Sequence, residues 1–124
     1  MAVAAALLLT GCLTDAATRL GYDLQSGAAR VGRAEGARHT VVHEVPSKRG
    51  ECTGPYRVQF DRVGAIIVWC YDASGKDVVS SHSTSHHADR VDTAETRIVD
   101  KPAGESLSVV LERRGGRPVI VDAR

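Results

Sequence analysis

The chain has 124 residues with 16 basic and 15 acidic side chains, a net charge of +1 at pH 7, and an aromatic fraction of 4%. So balanced a charge supplies no long-range field to draw in nucleic acid, and so few aromatic rings leave little to stack on bases or sugars. The length allows one small core that a disulfide would help to hold.

The chain opens on an apolar run, Ala2 to Leu9, too short to span a bilayer as a helix, followed by Leu9-Thr10-Gly11-Cys12. This stretch resembles the lipobox of bacterial lipoproteins: an aliphatic residue, a small one, Gly or Ala, then the cysteine that is lipidated and becomes the mature N-terminus. The resemblance covers the first dozen residues and implies a signal peptide over 1–11, acylation of Cys12 and attachment to the membrane through N-terminal acyl chains. Met1, Ala2 and Val3 carry no Lys or Arg where such a leader opens on positive charge, which places the expected start upstream. Leu13 follows the cysteine instead of the Asp associated with retention at the inner membrane, so the expected location is the cell envelope, at the outer membrane facing the periplasm. With Cys12 lipidated, Cys52 and Cys70 remain as an even pair in a compartment where disulfides persist, and they are the expected disulfide.

Leu13, Ala17, Leu20, Leu24, Ala28 and Val31 recur at spacings of three and four residues and predict an amphipathic helix. Thr14 is a candidate cap and Asp15 lies near the positive end of the helix dipole. Gly21, Gly27 and Gly32 each oppose helix by roughly 1 kcal/mol relative to Ala. Such a helix is marginal alone, and 12–38 reads as anchor, helical stalk and linker, the small apolar stripe packing on the domain or meeting a partner helix. Arg33 to Arg38, with Gly36 and alternating charge, reads as the linker.

From residue 39 to 124 the period shortens to two. Thr40 to Val45 is a strand. Tyr56, Val58 and Phe60 alternate with Arg57, Gln59 and Asp61, the pattern of a strand with one buried face. Ala65 to Tyr71 is apolar on both faces and reads as a central strand, with Ile67, Trp69 and Tyr71 on one side and Ile66, Val68 and Cys70 on the other. Asp72 to Gly75 turns the chain into a returning strand, Asp77 to His86. Thr96 to Val99, Leu107 to Glu112 and Val119 to Val121 follow, Pro102 and Gly104 separating the first two and Gly115-Gly116 the last two. About seven short strands joined by compact turns predict a mainly β protein, an antiparallel β-sandwich, with a partly open β-barrel as the alternative. The immunoglobulin pattern is not met, because Trp69 directly precedes Cys70.

No residues spell out a catalytic site. There is no Gly-x-Ser-x-Gly elbow and no phosphate-binding loop before a helix, and Cys70 lies inside the most apolar strand, where a thiol is inert. His82, His86 and His87 are the one cluster of metal-ligand types. On a strand, four residues span roughly 13 Å, too far to share an ion at bond lengths near 2 Å, so neither metal nor cofactor is expected. The candidate binding residues are Ser80, His82, Thr84 and His86, on one face of a strand that offers the core no apolar side chain beyond Val79. Such a strand belongs at a sheet edge. With no Lys or Pro in it to repel another strand, it predicts a partner, another envelope protein, that adds by strand pairing, with the histidines making the contact pH-sensitive. The function expected is that of a lipid-anchored envelope binding or structural module without catalysis. The alternative is an inhibitor of a periplasmic enzyme: lipid-anchored lysozyme inhibitors are similar in size, disulfide use and all-β build, but their Ser-Gly-x-x-Tyr motif survives here only as Ser74 and Gly75, with Val78 in place of Tyr.

Overall fold

The computed structural model describes residues 16–44, 52–62, 64–72, 74–83 and 91–124, with 77–79 and 83 described by backbone only. The signal-like segment, Cys12, Thr84, His86 and His87 therefore lie outside the described residues. One helix, α1 (Ala16–Ala28), precedes eight strands: β1 (Arg38–His43), β2 (Tyr56–Phe60), β3 (Ile66–Tyr71), β4 (Asp77–Ser83), β5 (Asp92–Thr93), β6 (Arg97–Lys101), β7 (Leu107–Arg114) and β8 (Arg117–Ala123). They form two four-stranded sheets, β1-β7-β8-β5 and β4-β3-β2-β6. No strand pairing joins one sheet to the other among the described residues, so the architecture is a β-sandwich and not the partly open barrel.

The period-two pattern is the reason for the layers. Tyr56, Val58 and Phe60 of β2 and Ile66, Val68 and Cys70 of β3 are buried and face Leu107, Val109 and Leu111 of β7 and Ile120 of β8 across one core. Two hairpins set the registers. Gly115 and Gly116 both take positive φ, 59° and 78°, in the two-residue turn that puts Arg114 opposite Arg117. In the β3–β4 turn, Asp72 accepts from the Ser74 hydroxyl (2.6 Å), the Ser74 N–H (2.9 Å) and the Lys76 N–H (2.9 Å), while Gly75 supplies φ 89°.

Three features differ from the sequence reading. A strand of two residues, β5, runs parallel to β8; so short an element has no period to detect, and it makes the first sheet mixed. The outward face of β3 is half-buried and not interior: among the described residues, Ile67, Trp69 and Tyr71 have no layer packed over them comparable to the one over Ile66, Val68 and Cys70.

The third concerns the helix: of the two readings of its stripe, packing on the domain holds and a separate stalk does not. It packs against β4 and β1 and, behind them, β3 and β7, with Ala17, Leu20 and Leu24 at 0–1% exposure inside the same core as the strands. Burial of each Leu contributes about 1.5–3 kcal/mol, which offsets the weak propensity of a glycine-containing helix. The segment expected to be a free linker is also tied down. Arg113 donates from Nε to the Gly32 carbonyl (2.6 Å), Gly36 N–H donates to the Arg113 carbonyl (2.8 Å), and Gly115 N–H donates to Glu35 (2.9 Å). The core thus begins at α1, not at residue 39.

Candidate functional site

Each sheet of an open sandwich has two edges, and each edge is a row of backbone donors and acceptors that another chain can pair with. Two of the four edges here carry a protection of their own. β5 is two residues long. β6 turns Arg97 and Lys101 toward the sandwich interior, opposite the buried Phe60 and Tyr56 in register. α1 lies against both remaining edges, β1 and β4. Of these two, β1 carries Arg38, whereas β4 has no Lys, Arg or Pro from Asp77 to Ser83, and no strand lies on its outer side among the described residues.

β4 alternates as a half-covered strand does. Ser80 and His82 are exposed, and Ser81 between them is buried at 7%. The inward position is polar because of what sits over it: the Ser81 hydroxyl accepts the N–H of Ala17 at 3.2 Å, one of the orphan donors of the first helical turn. A strand serine thus serves as a remote cap for α1. The sequence reading, which found no apolar side chain for the core on this strand beyond Val79, missed this because the partner is 64 residues away.

Register carries the outward face of β4 across the sheet. His82 lies opposite Ile67, which lies opposite Gln59, which lies opposite Ile98; Ser80, Trp69, Arg57 and Asp100 form the adjacent row. Ile98 is 56% exposed, and the one tryptophan of the chain is half-buried between Ser80 and Arg57. Arg57 grips Asp100 with two nitrogens, Nε to Oδ1 at 2.6 Å and Nη2 to Oδ2 at 3.2 Å, and this contact holds the Asp100 carboxyl below the usual carboxylate range. The edge and the face beside it are one surface, polar at β4 and apolar toward its centre. Of the four candidate binding residues, the structure places Ser80 and His82 here; Thr84 and His86 lie outside the described residues.

Beneath this sheet Cys52 and Cys70 are joined as a disulfide with Cα atoms 5.0 Å apart, at 2% and 6% exposure. Tyr56, next to them in the core, donates its hydroxyl to the Glu105 carbonyl at 2.5 Å, and burial, assisted by the Glu105 charge, pushes the phenol well above its ordinary value. Near the same apolar pocket His43 is buried and pairs through Nδ1 with Asp23 of α1, a second polar tie between helix and sheet that the sequence did not disclose. Among the described residues no three His, Cys, Asp or Glu side chains converge as a metal site, and no helix is long and apolar enough to cross a membrane.

The chain was compared with known proteins at three levels: no family model, no curated protein and no solved structure matches it. Its function has to be argued from its own geometry.

Proposed function

We propose that this chain is a lipid-anchored binding module of a bacterial cell envelope, without a catalytic role, that captures an extended segment of another envelope protein as an added strand along β4. The observation that carries the reading is the composition of the edges: β5 is shortened and β6 turns charges inward, whereas β4, although α1 packs against it, carries no Lys, Arg or Pro. An added strand gains main-chain hydrogen bonds from the edge and lays alternate side chains beside Ser80, His82 and the Trp69–Ile67 surface, which is how affinity and specificity divide in such complexes. Anchorage rests on the lipobox residues Leu9 to Cys12. Several acyl chains at about 0.8 kcal/mol per buried methylene hold a protein on a membrane without help from a balanced charge.

The test is capture from envelope extract with the wild-type chain, with Ser83→Pro, which removes a backbone donor from β4, and with Ser80→Lys, which adds the charge the edge lacks. The expected result is a specific partner lost by both variants while their circular dichroism stays that of the parent. Equal capture by either folded variant rejects β4 as the surface. Anchorage is read separately: Cys12→Ser should leave the membrane fraction, and its retention there after a high-salt wash rejects the lipobox.

A further inference from the structure

The outer face of the other sheet ends in a group of arginines. Arg38 of β1 lies opposite Glu112 of β7, and two residues on, Arg114 of β7 lies opposite Arg117 of β8. Neighbouring strands are about 4.8 Å apart and alternate residues on a strand about 6.7 Å, so the three guanidinium groups stem from a patch roughly 10 Å across. Glu112 holds two of them, accepting Arg38 Nε on one oxygen at 2.7 Å and Arg114 Nε on the other at 2.5 Å. Arg117 donates from Nη2 to Asp92 at 3.0 Å.

The burial of these groups is unequal, and that inequality gives the patch its character. The Glu112 side chain is 11% exposed, whereas those of Arg38, Arg114 and Arg117 are 64%, 52% and 62% exposed. The carboxylate is beneath and the guanidinium groups are on top. Arg38 and Arg114 each engage Glu112 through Nε, and their terminal Nη groups are left without a partner among the described residues. The next row along the face, Thr40, Val110 and Asp122, carries one acid, which is paired with Arg124. Arg33 and Arg113 flank the same end of the molecule, where Arg113 spends its donors on the Gly32 and Gly116 carbonyls and keeps its charge. Glu35, at the same end, is turned to the Gly115 N–H.

We infer that this face binds a phosphate-bearing polymer, with Arg38, Arg114 and Arg117 each taking a different phosphate of one chain. Planar guanidinium donors match phosphate oxygens two at a time, and spacing over three strands favours closely repeated phosphates over a single one. The face has no Tyr, Trp or Phe for bases to stack on, so the polymer it takes is a base-free one of the polyphosphate kind, engaged through its charged backbone. The site is on the sheet opposite to β4 and does not depend on the strand-addition reading.

Long-chain inorganic polyphosphate is the probe, titrated onto the full chain at low and at physiological salt, beside orthophosphate and vesicles containing phosphatidylglycerol. Wild type should bind polyphosphate, with affinity falling steeply as salt rises, and should bind orthophosphate far more weakly. Replacing Arg38, Glu112 and Arg114 together by Gln removes the buried acid along with its partners and should weaken binding by about tenfold or more. Arg57→Gln, on the other sheet, should leave it unchanged. Arg117→Gln strands no buried charge and should weaken binding on its own, so it decides the matter if the triple variant does not fold. No binding by wild type at low salt, undiminished binding by folded Arg117→Gln, or vesicle binding equal to that of polyphosphate each overturns the inference, the last by making the occupant a membrane surface.

Discussion

Between β1 and β4 the sandwich is closed by a helix whose Ala17, Leu20 and Leu24 reach 0–1% exposure, while between β6 and β8 it is closed by Arg97 reaching to Asp122 at 3.5 Å. The same opening, left wherever two sheets stack without joining, thus has two solutions in one small domain. The helix removes apolar area from water, and its few polar ties, Ser81 to Ala17 and His43 to Asp23, orient what the burial stabilises. The ion pair buries little and spans a half-exposed gap. The helical side should therefore hold most of the stability, and the charged side should act on association.

The largest effect is expected at Leu24. Truncation to Ala removes a side chain at 0% exposure from the middle of the closure and should cost about 2–5 kcal/mol, read as a shift of the urea midpoint. A loss below about 1 kcal/mol would show α1 to be a loose flap and would return the sequence's picture of a stalk.

Gly27 sharpens the same side. In an open helix Gly→Ala gains roughly 1 kcal/mol. Here an added Cβ would lie 2.1 Å from Val41 Cγ2 and 3.2 Å from Leu111 Cδ1, so Val41 must leave its rotamer or helix and strand must separate. The sign should reverse: Gly27→Ala destabilises by about 1–3 kcal/mol, and Val41→Ala in the same chain recovers part of that loss. A stabilised single variant would show that α1 is free to move off β1.

These two residues also show where the sequence was legible. The stripe of Ala17, Leu20, Leu24 and Ala28 has a period that burial alone demands, so it could be read before the fold was known, as could the alternation in β2 and β7 and the Gly115-Gly116 turn. Gly27 counted against the helix in the sequence. Its reason, contact with Val41, depends on which strand the helix meets, and no local pattern carries that. The same holds for Ser81, for the Glu112 arginines and for β5, each defined by a partner far along the chain. Of the candidate site, the edge character of β4 was legible from its lack of apolar residues. The surface beside it was not, because Ile67 and Trp69 look in sequence like the second face of an interior strand.

The smallest effect on stability is expected at Arg97, on the charged side. Its Nη1 contact with Asp122 is long, Asp122 is shared with Arg124, and Arg97 Nε is buried without a hydrogen-bond partner. Each of these lowers what the pair contributes, and an unpaired buried donor costs about 1–3 kcal/mol on its own account. Replacing such a group by an apolar one of similar size is often neutral or better, so Arg97→Leu should change unfolding free energy by no more than about 1 kcal/mol in either direction. What the substitution removes is an inward-facing charge on an edge strand, one of the devices that keep edges from pairing. The expected phenotype is self-association: sedimentation of the variant should show dimers or larger species at concentrations where the parent is uniform, with its unfolding midpoint scarcely moved. A folded, monomeric Arg97→Leu would mean that β6 needs no guard, and the contrast with β4 on which strand addition was argued would lose its basis. A loss above about 2 kcal/mol would instead mean that the ion pair closes its side as firmly as the helix closes the other.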